Sequence, residues 1–208
     1  MIKLDVTFIV RTMALYGLAV CGGKSLRMGT DKSQLQYFDI PQADRVVILL
    51  SPICTEVFLS CNPTQAAIFE NNKIITDLPE YEDIGPMAAL LSAFKTYPNA
   101  DFLVAGCDYP FLTPDALTEF LSSIQTGSIA AAFYNADGKY EPLLAWYAKE
   151  AAPLLFERFE RGHHSLQHFL REIHAEKYIP KSEKVMISVD TPEVYDQVKA
   201  ALNVHIEK

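Results

Sequence analysis

The chain has 208 residues, of which 50% are hydrophobic and 21% are charged, and it carries a formal net charge of −8. This length suits one globular domain with a sizeable core. The acidic balance argues against a nucleic-acid-binding protein, because such proteins are usually basic. No apolar run is long enough to span a membrane, so we expect neither nucleic acid nor a membrane as a partner.

The cysteines and the N-terminal residues bear on compartment and domain organisation. The sequence contains four cysteines: Cys21, Cys54, Cys61 and Cys107. No two of them form a Cys-x-x-Cys pair, so we expect buried, reduced thiols in a cytoplasmic protein rather than a zinc site. Residues 1–12 are predicted to be a poorly ordered extension, with Met13 as a candidate natural start. A single domain of residues 13–208 would then follow.

The first predicted strand leads into a glycine-rich, basic loop. An apolar run at residues 16–21 predicts a buried strand that ends at Gly22-Gly23. The loop that follows contains Lys24, Ser25, Arg27, Gly29 and Lys32. Glycines let backbone N–H groups approach a ligand closely, and neighbouring cations suit a polyphosphate. This arrangement predicts a nucleotide site, with an ordinary strand-to-turn connection as the alternative.

Spacing excludes two common phosphate-binding motifs from this loop. A P-loop requires Gly-x-x-x-x-Gly-Lys-[Ser/Thr]. Gly23-Lys24-Ser25 would supply its end, but the first glycine of the motif would fall at Leu18. The Gly-x-Gly-x-x-Gly pattern of dinucleotide-binding folds is also absent. A nucleotide bound here would therefore be held by a different loop.

Five further apolar runs predict strands, at residues 56–61, 101–107, 128–133, 142–147 and 185–189. The first three are nearly continuous, which indicates burial on both faces, as in a parallel sheet covered by helices. Amphipathic segments between the runs predict helices, with Thr113-Pro114 and Thr191-Pro192 as N-cap and first-turn pairs. The alternation predicts an α/β fold: a three-layer α/β/α, Rossmann-like architecture with a mostly parallel central sheet.

Two carboxylates directly follow predicted strands. Asp108 comes after the run at 101–107, and Asp190 after the run at 185–189. Ligands of open α/β sheets bind at the carboxyl ends of the strands, so both residues are expected to approach Gly22-Gly23 at one edge. Carboxylate oxygens are ligands that Mg²⁺ prefers. A turn or capping role is the alternative for each residue.

The pattern Gly22-Gly23-x-Ser25-x-Arg27-Met28-Gly29-x-Asp31-Lys32 resembles the signature loop of the molybdenum cofactor guanylyltransferase family. This family belongs to the nucleotidyltransferases, which join a nucleoside triphosphate to a phosphorylated acceptor. The resemblance extends from about Leu15 to Leu202. It includes Asp77 ahead of Gly85-Pro86, and a C-terminal motif whose usual form is Asn-x-Asn-Thr-Pro. In this chain Ser188 and Asp190 replace the two asparagines.

The resemblance implies an activity and a set of site residues. It implies Mg²⁺-dependent transfer of GMP from GTP to molybdopterin cofactor, with release of pyrophosphate. Catalytic roles are implied for Arg27, Lys32 and Asp108, and metal binding for Asp108, with Asp190 as a second candidate. The implied nucleotide-binding residues are Cys21, Gly22, Gly23, Ser25, Lys32, Asp77 and Asp108. The partners implied are GTP, the molybdopterin acceptor, and enzymes or maturation proteins that receive the cofactor, with the chain as a monomer or weak oligomer.

The choice of base depends on the start of the loop. Relatives that use CTP tend to have Ala-Ala-Gly where guanylyl enzymes have Ala-Gly-Gly, and Cys21-Gly22-Gly23 is closer to the guanylyl pattern. A molybdopterin cytidylyltransferase and a sugar-phosphate nucleotidyltransferase stay open as alternatives. So does a partner protein that binds nucleotide without turnover.

Overall fold

The computed structural model describes residues 14–21, 32–69 and 71–206, without the side chains of residues 203–206. The strands are β1 Leu15–Val20, β2 Glu56–Cys61, β3 Ile74–Thr76, β4 Asp101–Gly106, β5 Ala130–Tyr134, β6 Tyr140–Tyr147 and β7 Glu176–Tyr178. The helices are α1 Gln42–Leu50, α2 Met87–Thr96, α3 Pro114–Ser123, α4 Ala152–Glu160, α5 Leu166–Glu172 and α6 Pro192–Ile206. The predicted extension at residues 1–12 lies outside the described residues.

The strands form one sheet in the order β3-β2-β1-β4-β6-β5-β7. Neighbouring strands pair in parallel except where β6 pairs with β4 and β5. β6 is antiparallel because it returns from β5 through a tight turn, in which the Gly138 N–H bonds the Asn135 carbonyl oxygen (3.0 Å). Gly138 has φ +73°, a backbone conformation that glycine adopts without strain. The prediction of a mostly parallel sheet is therefore confirmed.

Helices cover both faces of the sheet, as predicted. Successive side chains of a strand point to opposite faces, so Leu18 and Val20 of β1 pack with α2, α4 and α5. Ala19 and Cys21 face the other way and pack with α1 and α3. The Thr113 side chain caps α3 by accepting a hydrogen bond from the Ala116 N–H at 3.2 Å. Together these layers give the predicted α/β/α architecture.

The direction in which successive strands are added to the sheet reverses between β1 and β4, and this reversal positions the site. From β1 the chain moves through α1 to β2 on one side, whereas β4 lies on the other side of β1. The loops that follow β1 and β4 start side by side, because the Cys107 N–H donates to the Val20 carbonyl oxygen at 3.0 Å. In open α/β sheets the ligand crevice lies at such a switch point, beyond the carboxyl ends of the strands.

One predicted strand is wrong and two were not predicted. The run at 185–189 contains a 3₁₀ helix, Glu183–Met186, instead of a strand. Val185 and Met186 pack in the core cluster on the side of the sheet that α1 and α3 cover, whereas Val189 packs in a separate cluster with α6. The apolar run is therefore divided between two packing sites. The three-residue strands β3 and β7 give too short a pattern to be recognised from sequence.

Burial of the cysteines follows the prediction in three of four cases. Cys21, Cys61 and Cys107 are buried, whereas Cys54 is only partly buried. Burial raises the pKa of the Cys54 thiol to about 12, so this thiol stays protonated at neutral pH. Within residues 14–21, 32–69 and 71–206, no helix is both long and apolar enough to cross a bilayer.

Candidate active site

Asp108 lies at the centre of the candidate site, two residues beyond the end of β4. Its Oδ2 accepts a hydrogen bond from the Ser188 hydroxyl (2.8 Å), and its carbonyl oxygen accepts one from the Val189 N–H (2.9 Å). The other carboxylate oxygen, Oδ1, is buried and accepts no hydrogen bond from any residue that the structure describes. Burial raises the pKa of Asp108, and the hydrogen bond from Ser188 and the charge of Lys32 partly oppose this. A partly buried carboxylate whose enclosed oxygen has no hydrogen-bond partner among the described residues suits a cation.

A glycine makes room for this carboxylate. A Cβ placed on Gly106 would lie 2.5 Å from Asp108 Oδ1, 3.1 Å from the Tyr109 ring and 3.2 Å from Leu143 Cβ. Real Cβ atoms do not approach other atoms as closely as 2.5 Å. The backbone of β4 therefore comes so close to Asp108 that only glycine fits at position 106.

Lys32 and Asp190 meet beside Asp108, although 158 residues separate them in sequence. Lys32 opens the 3₁₀ helix Lys32–Gln34, and its Nζ forms an ion pair with Asp190 Oδ1. The Lys32 side chain is 22% exposed and that of Asp190 is 55% exposed. Asp190 reaches Lys32 through the segment that begins at Ser188 and not from a strand end. Its predicted approach to Gly22-Gly23 stays a prediction, because these glycines lie outside the described residues.

Asp77, one of the residues predicted to bind the nucleotide, lies at the carboxyl end of β3. Asp77 follows β3, and its N–H donates to the Cys61 carbonyl oxygen at 3.1 Å. Its Oδ1 is buried and receives no hydrogen bond from the described part of the chain. Burial, followed by the nearby charge of Glu82, raises the pKa of Asp77 to about 6. This second underused carboxylate is therefore partly protonated near neutral pH.

Cys21 connects β1 to the glycine-rich loop through its backbone. Its N–H donates to the Ser60 carbonyl oxygen (2.9 Å), and its own carbonyl oxygen accepts a bond from Gln65 Nε2 (3.5 Å). The thiol is 6% exposed and packs in the core on the α1–α3 face. Any contact of Cys21 with a ligand would thus come from its backbone. The predicted site residues Gly22, Gly23, Ser25 and Arg27 lie outside the described residues, and their roles stay predictions.

Asn62 is a candidate that the sequence analysis missed. It directly follows β2, between the ends of β1 and β3 at the same sheet edge. Its Oδ1 accepts hydrogen bonds from the N–H groups of Thr64 and Gln65, both at 3.0 Å, which fixes the orientation of the amide. The signal that identified Asp108, a polar residue directly after a buried apolar run, applies equally to Asn62.

The sequence analysis also missed a hydrogen-bonded group next to Asp108 that consists of Tyr109, Glu141 and Asn135. The Tyr109 hydroxyl donates to Glu141 Oε2 at 2.9 Å, and Asn135 Nδ2 donates to Glu141 Oε1 at 2.7 Å. Tyr109 is 5% exposed. Burial, followed by the charges of Asp108 and Glu141, raises the pKa of Tyr109, so its hydroxyl keeps the proton that it donates. The Asp-Gly pair in the turn between β5 and β6 could have revealed the hairpin that brings Glu141 here.

The donor set fits a divalent cation that also binds phosphate oxygens. Mg²⁺ in phosphate-transferring sites is usually held by one or two carboxylates together with substrate phosphates and water. Asp108 provides a carboxylate with a buried, unused oxygen, and Asp190 is linked to the same site through Lys32. The described residues contain no group of three or more His, Cys, Asp or Glu side chains that could hold a metal without substrate. This arrangement suits a metal that binds with a nucleotide.

Known proteins resemble this chain in sequence and in fold. Residues 17–178 match the MobA-like NTP transferase domain. The chain is 33% identical over 165 residues to a molybdenum cofactor guanylyltransferase from Serratia proteamaculans, with 77% of this chain and 81% of the relative covered. It is 29% identical over 185 residues to a molybdenum cofactor biosynthesis bifunctional protein from Synechocystis sp., covering 88% of this chain but only 53% of that protein, so the chain spans about half its length.

A solved structure supports the fold. Molybdopterin-guanine dinucleotide biosynthesis protein A from Archaeoglobus fulgidus matches with a TM-score of 0.75 and 20% identity, over 90% of this chain and 98% of that one. At this identity the likeness concerns the fold alone. The sequence match, by contrast, covers most of the chain and includes both Lys32 and Asp108. The chain therefore belongs to the MobA-like NTP transferase domain family and is a nucleotidyltransferase.

Proposed function

We propose that this protein transfers GMP from GTP to molybdopterin cofactor and releases pyrophosphate, with Mg²⁺ bound at Asp108. Relatives named as molybdenum cofactor guanylyltransferases support the choice of substrates. The observation that carries the proposal is the buried, unused Oδ1 of Asp108 at the switch point of the sheet. Lys32 lies close enough for its positive charge to lower the pKa of this carboxyl group.

In this proposal the protein mainly neutralises charge and orients the two substrates. Nucleotidyl transfer requires little covalent chemistry from the protein, because positioning and charge stabilisation provide most of the rate enhancement. Mg²⁺ at Asp108 would supply a Lewis acid for the triphosphate. Lys32 would exchange Asp190 for phosphate oxygens, and Arg27 would add a second cation from the glycine-rich loop. The acceptor phosphate would attack the α-phosphorus in line, and pyrophosphate would leave without a covalent intermediate on the protein.

The sheet edge divides naturally between the two substrates. Asn62 and Asp77, at the ends of β2 and β3, would contact the base or ribose of GTP. Asp190, which pairs with Lys32, and the segment before α6 would orient the acceptor, or Asp190 would add a second carboxylate to the metal. We propose that the reaction takes place in the cytoplasm, in a monomer or weak oligomer. The finished cofactor would pass to accepting enzymes or maturation proteins.

The test is magnesium-dependent pyrophosphate release from GTP and from CTP, offered in parallel with molybdopterin cofactor. We expect release with GTP alone, and its loss in Asp108→Asn. Asp196→Asn is the matched control, because Asp196 is an exposed aspartate on α6. Release with CTP alone would keep the chemistry but overturn the choice of base. Tight GTP binding without pyrophosphate release, in folded protein with Mg²⁺, would instead indicate a nucleotide-binding partner protein.

A further inference from the structure

Asp108 is held between two parts of the chain that are far apart in sequence. On one side, Ser188 and Val189 bond its carboxylate and its carbonyl oxygen. On the other side lie Gly106 and Tyr109, with the Tyr109 ring 3.1 Å from the position that a Cβ on Gly106 would occupy. That same position is 2.5 Å from Asp108 Oδ1. The Tyr109 ring and the unused oxygen of Asp108 therefore both lie directly against Gly106.

Hydrogen bonds fix the far end of the Tyr109 side chain. Its hydroxyl donates to Glu141 Oε2 at 2.9 Å, and the other oxygen of Glu141 accepts from Asn135 Nδ2 at 2.7 Å. Asn135 is itself fixed, because its Oδ1 accepts from the Lys139 N–H at 3.0 Å within the turn that joins β5 to β6. Each group in this series has one orientation that satisfies its neighbours.

We propose that Tyr109, Glu141 and Asn135 form a positioning relay, by which the β5–β6 hairpin fixes the carboxylate of Asp108 for metal binding. The proposal rests on the proposed function, because it assumes that Asp108 is a metal ligand. None of the three residues needs to touch the substrate. They act through the orientation of the Tyr109 ring against Gly106 and Asp108. Partners that orient metal-binding residues commonly contribute ten- to hundredfold to metal affinity.

The test is Mn²⁺ binding to the full chain with GTP, followed by the relaxation enhancement of water protons, which separates protein-bound from free Mn²⁺–GTP. We expect Tyr109→Phe and Glu141→Ala each to weaken Mn²⁺ binding about tenfold. The double variant should be no weaker than either single variant, since both changes break one relay. Glu141→Gln should weaken Mn²⁺ binding less than Glu141→Ala, because its amide can still accept from Asn135 and donate to the Tyr109 oxygen, although the Tyr109 hydroxyl then loses its acceptor.

A matched control separates positioning from general stability. Tyr178 also donates a hydrogen bond to a glutamate, Glu119 Oε2 at 3.3 Å, but from the edge strand β7. Tyr178→Phe removes the same kind of bond and should leave Mn²⁺ affinity unchanged. The Mg²⁺ concentration for half-maximal pyrophosphate release should rise in Tyr109→Phe and Glu141→Ala, while the thermal unfolding temperature of each stays close to that of Tyr178→Phe.

Each remaining outcome has a definite meaning. Wild-type Mn²⁺ affinity in Tyr109→Phe would overturn the relay and leave the proposed function intact. Equal weakening in Glu141→Gln and Glu141→Ala would also overturn the relay, because the charge of Glu141 and not its geometry would then matter. If the wild-type protein with GTP binds no Mn²⁺, both the relay and the proposed metal site are wrong.

Discussion

The central sheet and the C-terminal segment of residues 188–202 both reach Asp108, but cores of very different size hold them. The sheet lies between two extensive clusters that include whole faces of α1 to α5. Among the described residues, the C-terminal segment packs with Tyr37 in a small cluster. Its four buried side chains are Tyr37, Val189, Val198 and Leu202. The segment is thus held by a small apolar contact and by its bonds to the site. Changes in the sheet should affect the fold first, and changes in the segment should affect the site first.

The largest expected effect comes from the same truncation in the two regions. Leu90 in α2 is fully buried in the larger core, whereas Leu202 in α6 is 9% exposed in the small cluster. We expect Leu90→Ala to lower the free energy of unfolding by about 3 kcal/mol, within the range for fully buried leucines. Leu202→Ala should cost about 2 kcal/mol, at the lower end of that range, because the small cluster around it can close over the space that the side chain leaves. Urea unfolding followed by circular dichroism measures both, and equal losses would contradict the comparison.

A pair of glycine variants locates the site within the sheet. Gly106→Ala places a Cβ 2.5 Å from Asp108 Oδ1. Gly17→Ala places a Cβ 3.1 Å from side-chain atoms of Leu50 and Val57 in the core. Crowding as close as that at Gly106 typically costs about 1–3 kcal/mol, so Gly106→Ala should be less stable than the wild type. Magnesium-dependent pyrophosphate release should disappear in Gly106→Ala and persist in Gly17→Ala. Activity in Gly106→Ala close to that of Gly17→Ala would show that Asp108 tolerates displacement.

The two regions also differ in how well sequence predicts them. The buried strands β1, β2 and β4 lie in nearly continuous apolar runs, and Asp108 directly follows the run that contains β4, so these strands and the position of Asp108 beyond β4 were predictable. The run at 185–189 has the same composition but is divided between two clusters. Short apolar runs do not distinguish a strand from a helical turn, because only tertiary packing decides between them.

The missed contacts in the site are those that join residues far apart in sequence. Neither the ion pair of Lys32 with Asp190 nor the bond of Tyr109 to Glu141 follows from local pattern, since each requires the strand order of the sheet. The order places β6 beside β4, which brings Glu141 near Asp108. Residue types and strand ends were therefore predictable, but the relay around Asp108 depends on topology.

A smaller effect is expected from the pH dependence of the sheet edge. The pKa of Asp77 is about 6 in the folded protein, above its ordinary value of 3.8, because of burial and the charge of Glu82. The folded state therefore binds this proton more tightly than the unfolded state does. The resulting stabilisation is fully present below pH 4 and is lost as pH rises through about 6. One pKa unit corresponds to 1.36 kcal/mol, and because Asp77 is partly exposed, solvent screening keeps the effect well below the roughly 3 kcal/mol of the full shift.

Asp77→Asn tests this dependence, because it removes the titrating group and nearly conserves the shape. The stability difference between wild type and variant, from urea unfolding between pH 4 and pH 7.5, should change in favour of the variant as pH rises. Asp137→Asn, at an exposed position in the β5–β6 turn, is the control and should show no such trend. A pH-independent difference in Asp77→Asn would mean that Asp77 is ionised at no cost in the folded protein.

The smallest effect on stability, and the most informative one on binding, is expected at the junction of the two regions. The ion pair of Lys32 with Asp190 is partly exposed, and such pairs contribute between about 0 and 1 kcal/mol. Lys32→Ala and Asp190→Asn should therefore both fold normally.

Lys32→Ala should weaken GTP binding in calorimetry with Mg²⁺, because the triphosphate loses a cation. Asp190→Asn should bind GTP at least as tightly as the wild type, because Lys32 no longer has to leave a carboxylate. Lys181→Ala breaks a similar exposed pair with Glu119 and should change neither quantity. Unchanged GTP affinity in Lys32→Ala would contradict the assignment of this lysine to the triphosphate. Weaker GTP binding in Asp190→Asn would show instead that Asp190 itself holds the metal, so the C-terminal segment would supply a ligand in addition to positioning Asp108.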